Sequence, residues 1–260
     1  MEKAVLFEIE EGVATITFNR PQRYNAVNQD LVDGLSESLL KCQQDQSIRA
    51  VVITGNGRGF CAGADLSVFA ENTTPEQRRD YIIDQYQPLM EQFFSLKKPI
   101  IGAVNGTAAG VGAAFALACD FRVMSPESGI LYAFVNIGLG PDGGASWLLS
   151  RQVGYSKALE IAISGKKVPA DECLQLGLTN RLVESEVLVK EATSWARKLA
   201  IRPTLAIGIA KQDLFFSMDH SLKDTIVFEA EKQIDAFKSH DLKEGVSAFM
   251  EKRKPNFLGN

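Results

Sequence analysis

The chain has 260 residues, a formal charge of −4, four cysteines and two histidines; it is long enough to bury its own core, and without a dense basic cluster it is not expected to bind nucleic acid. Cys42, Cys61, Cys119 and Cys173 lack metal-site and Cys-x-x-Cys spacing and read as packed, reduced thiols. The sequence opens on a strand pattern rather than a leader, and its longest apolar run is broken by glycines before Asp120, so a soluble cytoplasmic protein with no membrane span is expected.

Val5–Glu10 and Val13–Phe18 predict a hairpin around Glu11–Gly12. Asn19–Ala26 (NRPQRYNA) is a loop in which Arg20 and Arg23 are either phosphate contacts or ordinary solvated charge. Asn28 is placed to cap a helix from Gln29 to about Gln44, with Leu31, Leu35 and Leu39 on one face. Ala50–Thr54 is a buried-strand pattern, followed by a turn-rich stretch at Gly55–Gly59 and by FCAGADL at Phe60–Leu66. Glu71–Arg79 is polar, and Pro75 suits a helix start. The connection from Leu66 to Ile82, residues 67–80 above all, reads as plain surface first and as a mobile cover of a pocket second. Tyr81–Leu96 predicts an aromatic-rich helix with Phe93 and Phe94 in the core.

Ile100–Val104 predicts a strand, Asn105 and Gly106 break it, and a Gly/Ala-rich helix follows from about Gly110 to Cys119. The first turn of that helix has unpartnered N–H groups at the positive end of its dipole, a place for an oxyanion. Tight helix packing explains the small residues equally well. Together with the FCAGADL junction, however, two backbone N–H groups are available to hold one carbonyl oxygen, the arrangement that stabilises enolates. Phe121–Met124 returns as a strand.

Leu131–Leu149 runs through Gly138, Gly140, Pro141, Gly143 and Gly144 to a helix at Ala145–Gln152. Its single acid, Asp142, taken alone is a helix cap. Set beside two oxyanion donors it becomes a proton-transfer group, its pKa raised by apolar surroundings. Tyr155–Ser164 is a helix, and Lys166–Val183 holds a short helix that starts near Pro169, stops at Gly177 and leaves as a strand. Helices are expected at Glu191–Leu199, Leu205–Phe215, Ser221–Phe237 and Asp241–Lys252. The division is thus an α/β core over residues 1–199 and a helical region over 200–260, whose Phe228, Ile234, Phe237, Val246 and Phe249 call for a partner surface on the same chain or a neighbouring subunit. No metal set is visible. His220 and His240 both fall in the tail, away from the two junctions, so a Ser–His–Asp triad is not expected. GVGAAF lacks the last glycine of a dinucleotide fingerprint.

NRPQRYNA, GFCAGADL (Gly59–Leu66), KPIIGAVNGTAAGVGAAFALACD (Lys98–Asp120), IGLGPDGGASWLL (Ile137–Leu149), ADECLQLGLTNRLV (Ala170–Val183) and EGVSAFMEKRKPNF (Glu244–Phe257) together resemble the crotonase superfamily, the enoyl-CoA hydratase/isomerase group. The resemblance implies a spiral of repeated β-β-α units with a helical region that builds trimers, which often pair into hexamers. It implies acyl-CoA thioester substrates, with coenzyme A entering as part of the substrate and no separate cofactor. By similarity the N–H groups of Ala64 and Val111 polarise the thioester carbonyl, and Ala62, Ala64, Asp65, Leu66 and Ser67 line the acyl-CoA site. Arg23 and Ala26 approach the pantetheine and phosphates, and Phe249 and Lys252 lie near the nucleotide, in the same or a neighbouring subunit. The positions of the two hydratase glutamates are Ala114 and Ala133 here. Asp142 stands where phenylacetate-pathway ring-opening isomerases, related enoyl-CoA isomerases and a chlorobenzoyl-CoA dehalogenase keep a working aspartate, and IGLGPDGG is most similar to the first. The expected reaction is therefore isomerisation of an unsaturated acyl-CoA, by double-bond migration or ring rearrangement, with Asp142 as the one base. Hydration, dehalogenation (disfavoured with no histidine before residue 220) and a non-catalytic acyl-CoA scaffold are the alternatives. Glu71, Asp80 and Asp84 are the fallback acids.

Overall fold

Among the described residues nine strands carry the β-branched and small residues: β1 (Val5–Glu10), β2 (Val13–Phe18), β3 (Ala50–Gly55), β4 (Ile100–Val104), β5 (Thr107–Ala109), β6 (Phe121–Met124), β7 (Gly129–Leu131), β8 (Lys167–Pro169) and β9 (Arg181–Leu182). The computed structural model describes residues 3–69 and 73–260. Its eleven described α-helices are α1 (Gln29–Gln44), α2 (Pro75–Tyr81), α3 (Gln87–Ser95), α4 (Val111–Ala118), α5 (Ala145–Val153), α6 (Tyr155–Ser164), α7 (Ala170–Gln175), α8 (Leu188–Ala200), α9 (Thr204–Ser217), α10 (Leu222–Lys238) and α11 (His240–Met250).

The main sheet runs β1-β2-β3-β4-β6-β9, antiparallel at the β1–β2 hairpin and parallel beyond it, and β5-β7-β8 form a second, smaller sheet. Parallel strands with both faces covered read as continuous apolar runs, and the period of two sorts their residues. Val51, Ile53, Ile100 and Val104 enter the larger core with α1, α3 and α4, while Ala50, Val52, Ile101 and Ala103 face Leu188, Ala192, Ala196 and Ala200 of α8.

Every residue of α4 is buried. A Cβ at Gly112 would lie 2.4 Å from the Cys61 carbonyl oxygen, so the helix can touch the neighbouring backbone only because that position is glycine. At the other end, the buried Arg122 donates to the carbonyls of Ala116, Leu117 and Cys119 and to that of Leu178. It satisfies the orphan carbonyls of the last turn and places a cation at the negative end of the dipole. The helical tail is tied to the core by Lys211 of α9, which donates to the Phe93 carbonyl and to Asp120; the same Asp120 oxygen accepts the Ile100 N–H.

The hairpin, α1 with its Asn28 cap, β4, β6 and α6 lie where the sequence puts them. Several elements differ. Thr107–Ala109 adds a strand before α4, because it pairs with both Cys61 and β7. Pro75 does start a helix, α2, as its position suggests, fixed by a capping box between Thr74 and Gln77; the helix expected from Tyr81 is not separate but continues it through a π-helical turn at Ile82–Tyr86 into α3. Of the 67–80 connection, residues 70–72 lie outside the described residues, and 75–80 are helical. Phe228 finds its partner within the chain, stacked on Phe216 at 4.1 Å, whereas Ile234, Phe237, Val246 and Phe249 are exposed. All four cysteines are buried and unpaired, and burial pushes the Cys61 and Cys119 thiols up to about 12. Among the described residues no helix is long and apolar enough to cross a membrane.

Each buried carbonyl that loses its donor costs about 1–3 kcal/mol. Arg122→Met is therefore expected to lower stability by at least about 3 kcal/mol, read from the urea midpoint; a variant that melts like the parent would remove Arg122 as the cap of α4.

Candidate active site

The stretch after Phe60 is sewn between two others. Cys61 N–H donates to the Thr107 carbonyl (3.3 Å) and the Ala109 N–H to the Cys61 carbonyl (2.8 Å), a bridge to β5. On the other side Val27 N–H donates to the Gly63 carbonyl (2.7 Å) and Asp65 N–H to the Val27 carbonyl (2.9 Å). In this parallel pairing the residue between those two partners, Ala64, turns its own N–H away from Val27. Gly63 and Gly110 then meet backbone to backbone: a Cβ on Gly63 would lie 2.8 Å from the Ala109 carbonyl oxygen. Gly110 has φ +53° and ψ −127°, a conformation open to glycine, and so delivers Val111 as the first residue of α4. Neither the Ala64 nor the Val111 N–H has a hydrogen-bond acceptor among the described residues. Two free donors therefore follow two glycines in contact.

The loop before α5 brings the acid to this place. A Cβ on Gly143 (φ +59°) would lie 2.8 Å from Cγ2 of Val111 and 3.8 Å from the ring of Tyr86. Asp142 thus neighbours the start of α4, with its side chain only 15% exposed. It is not a helix cap: Gly144 holds the N-cap of α5 without a side-chain bond. Oδ2 of Asp142 accepts a hydrogen bond from Nη2 of Arg78 at 2.9 Å, while the buried Oδ1 has no hydrogen bond among the described residues. Burial pushes the Asp142 pKa above the ordinary carboxylate value, and the Arg78 charge opposes that rise. Ala114 is buried within α4 and Ala133 opens a 3-10 turn, so neither position offers a carboxylate.

Beyond Gly143 opens a cavity of about 760 Å³ walled by Tyr86, Phe94, Trp147, Phe215 and Phe216. Phe215 stacks on Phe94 at 4.6 Å and lies 5.5 Å from Trp147. Phe94, expected in the core, is half-buried and lines this space. His220 also reaches its wall, stacked on Phe216 with Nδ1 at the Phe216 carbonyl.

Arg20 is not available to a phosphate. Its guanidinium donates to the Ala26 carbonyl and to Asp65 Oδ2, the latter at 2.9 Å. Asp65 also accepts from the Ser67 N–H and hydroxyl, and these bonds hold its carboxyl below the usual range. Arg20 and Asp65 are thus a buckle that shapes the loop. Arg23, Ala62, Leu66 and Ser67 are exposed on the same stretch, and Ala26 is half-buried. Phe249, 83% exposed, lies instead at a separate groove between α9, α10 and α11, with Lys252 just past that helix, so one chain does not join them to the Ala64 cluster. Of the fallback acids, Asp80 pairs with Arg79 at the surface, Asp84 is exposed and Glu71 lies outside the described residues. Arg78 and Tyr86 were not singled out from the sequence; Arg78 stands 64 positions from Asp142 with no local pattern to link them. No cluster of His, Cys, Asp or Glu among the described residues could hold a metal ion.

Residues 8–260 match the family model described as enoyl-CoA hydratase/isomerase. The chain is 38% identical to the 1,2-epoxyphenylacetyl-CoA isomerase of Escherichia coli K12, across 100% of both chains. It is 34% identical to the short-chain-enoyl-CoA hydratase of Clostridium acetobutylicum, across 96% of this chain and 95% of that one. Among solved structures, an enoyl-CoA hydratase subunit from Geobacillus kaustophilus superposes with a TM-score of 0.93 at 34% identity, covering 99% of this chain and 98% of the other. The α/β arrangement with its helical C-terminal region is the crotonase fold.

If Gly143 sets the distance between Asp142 and Val111, Gly143→Ala must push them apart and strain a positive φ. The expected destabilisation is about 1–3 kcal/mol by thermal or urea melting, accompanied by loss of acyl-CoA turnover at temperatures where the variant is folded. Full turnover in the alanine variant would show that this contact does not position the acid.

Proposed function

This chain belongs to the enoyl-CoA hydratase/isomerase family, and on that premise we propose that it isomerises an unsaturated acyl-CoA thioester. The thioester oxygen sits between the N–H groups of Ala64 and Val111. Asp142 takes a proton from the carbon next to the carbonyl, and the two donors hold the enolate oxygen as charge moves onto it. Conjugation spreads that charge to C4, so the protonated Asp142 returns the proton there and one base completes the cycle. The observation that supports this reading above hydration is the placement of acids: Asp142, with one oxygen unbonded among the described residues, immediately precedes the Gly143 that packs on Val111, while Ala114 and Ala133 provide no carboxylate to hold and activate water. The hydratases among the relatives keep hydration as the competing outcome.

A second reading is favoured by the walls of the cavity. Phe94, Trp147 and Phe215 suit a flat ring, and the E. coli relative is named for an epoxide of phenylacetyl-CoA. Ring rearrangement of an aryl-epoxide thioester therefore belongs in the same substrate panel. Coenzyme A would run along Ala26, Ala62 and Ala64–Ser67, with Arg23 toward its phosphates. Phe249 and Lys252 would reach the nucleotide from a neighbouring subunit of a homotrimer or a dimer of trimers, which would also cover Phe237 and Val246.

Incubation with cis- and trans-3-enoyl-CoA should yield the 2-enoyl product faster than 2-enoyl-CoA gains water; rapid 3-hydroxyacyl-CoA formation without bond migration would make the protein a hydratase. Asp142→Asn should lower kcat by about 10²–10⁴-fold with acyl-CoA affinity retained. Because burial raises its pKa, the acid limb of kcat/KM should lie above the ordinary carboxylate value of about 4, activity falling as pH drops through it. Light scattering on dilute protein should give the mass of three or six chains, and a monomer at every concentration would sink the shared-site assembly.

A further inference from the structure

Arg78 and Asp142 form an ion pair that is 16% and 15% exposed, between an element before the main parallel strand β4 and a loop well after it. The arginine is itself held. Its guanidinium lies 5.5 Å from the ring centroids of both Tyr81 and Tyr86, and those two rings meet edge to face at 5.3 Å. Tyr86 is fully buried and also touches the place a Cβ of Gly143 would occupy. The ring that locates Arg78 therefore packs on the glycine that follows Asp142. The consequence for the carboxyl is asymmetric: Oδ2 is fixed by Nη2 of Arg78, and the buried Oδ1 has no hydrogen bond among the described residues.

We propose that Arg78 is the positioning residue of this site: clasped by Tyr81 and Tyr86, it fixes one oxygen of Asp142 and leaves the other to take and return the substrate proton. This rests on the reading of Asp142 as the base. A lone carboxylate must do two opposed things in one turnover. It must stay ionised in a buried place before it removes a proton, and it must surrender that proton quickly afterwards. A fixed cation serves both, because it favours the charged form at each stage. Orientation is the second contribution: a carboxylate held at one oxygen cannot rotate its acceptor lone pair away from the carbon acid. Among the described residues Arg78 is the charged group acting on Asp142, and Tyr86, whose hydroxyl burial keeps protonated, is the titratable group facing both. The proton passes from carbon to Oδ1 and back to carbon, so no other reactant is consumed. Arg78 touches neither substrate nor proton and acts through Asp142.

The test is the pH profile of kcat/KM for 3-enoyl-CoA isomerisation in the full chain, with Arg78→Gln, Arg78→Lys and Asp142→Asn compared with the parent. Removing an opposite charge at this distance should move the acid limb upward by at least about one pH unit. In Arg78→Gln, kcat should fall by at least about tenfold while KM changes little, since an orienting group is lost and not a binding one. Arg78→Lys retains charge without the planar fork, so it should restore most of the limb position and only part of kcat. Carboxyl carbon-13 NMR of Asp142, which needs no turnover, should show the same order of titration midpoints. If Arg78→Gln melts too early to assay, the lysine variant must still split limb position from kcat. An unmoved limb and midpoint with kcat within about twofold in folded Arg78 variants would overturn the proposal. That failure is distinct from loss of the base itself, because Asp142→Asn would then still be inactive; an active Asp142→Asn would instead remove the reading on which this inference rests.

Discussion

The site depends on one close approach of backbone to backbone. Residues 61–63 lie against residues 109–112 at backbone distance, because Gly63, Gly110 and Gly112 leave no side chain of their own in the contact. A methyl group at any of these three positions would push either into a neighbouring chain segment or into a disfavoured backbone conformation. The contact sets the start of α4 beside the FCAGADL segment and leaves the N–H groups of Ala64 and Val111 without acceptors among the described residues. Free donors in a buried setting carry a desolvation cost, and the rest of the core must hold them in place. Arg122 does so at the far end of α4, and β5 does so at the near end through its bridge to Cys61.

The second constraint is electrostatic. Asp142 is buried enough for its ionised form to be disfavoured, yet it is not abandoned: Arg78 stands against one oxygen. Burial and pairing pull in opposite directions on its charge. Arg20 and Asp65 show the contrast a short distance away. There the carboxylate is bound by a guanidinium, an N–H and a hydroxyl together, and the result is a rigid loop rather than a reactive group.

The cavity is assembled from parts far apart in the chain. Tyr86 and Phe94 come from the helical run before β4, Trp147 from α5, and Phe215 and Phe216 from α9. Lys211, on the same helix as Phe215, is tied to Asp120 at the end of the α4 region. The helical tail thus carries one wall of the cavity as well as the exposed apolar residues.

Local pattern accounted for most of the elements. Strand hydrophobicity marked β3 and β4, Asn28 marked the start of α1, and the glycines with an isolated acid marked the loop that carries Asp142, since each of these signals lies within a few neighbouring residues. The phrases shared with the enoyl-CoA hydratase/isomerase family fixed the fold for the same reason: they are contiguous. What the sequence could not express was pairing across distance. Arg20 read as a phosphate contact or a solvated charge because its own charge is local, while its partner Asp65 is brought to it only through the bridge of Val27 to Ala64. Thr107–Ala109 became a strand only beside Cys61 and β7, and Phe94, packed against the core, also forms a cavity wall only because α9 docks against it. That Asp142 is not the cap of α5, and that a guanidinium from 64 residues earlier in the chain stands 2.9 Å from one of its oxygens, only the tertiary structure decided, because both depend on how distant segments pack.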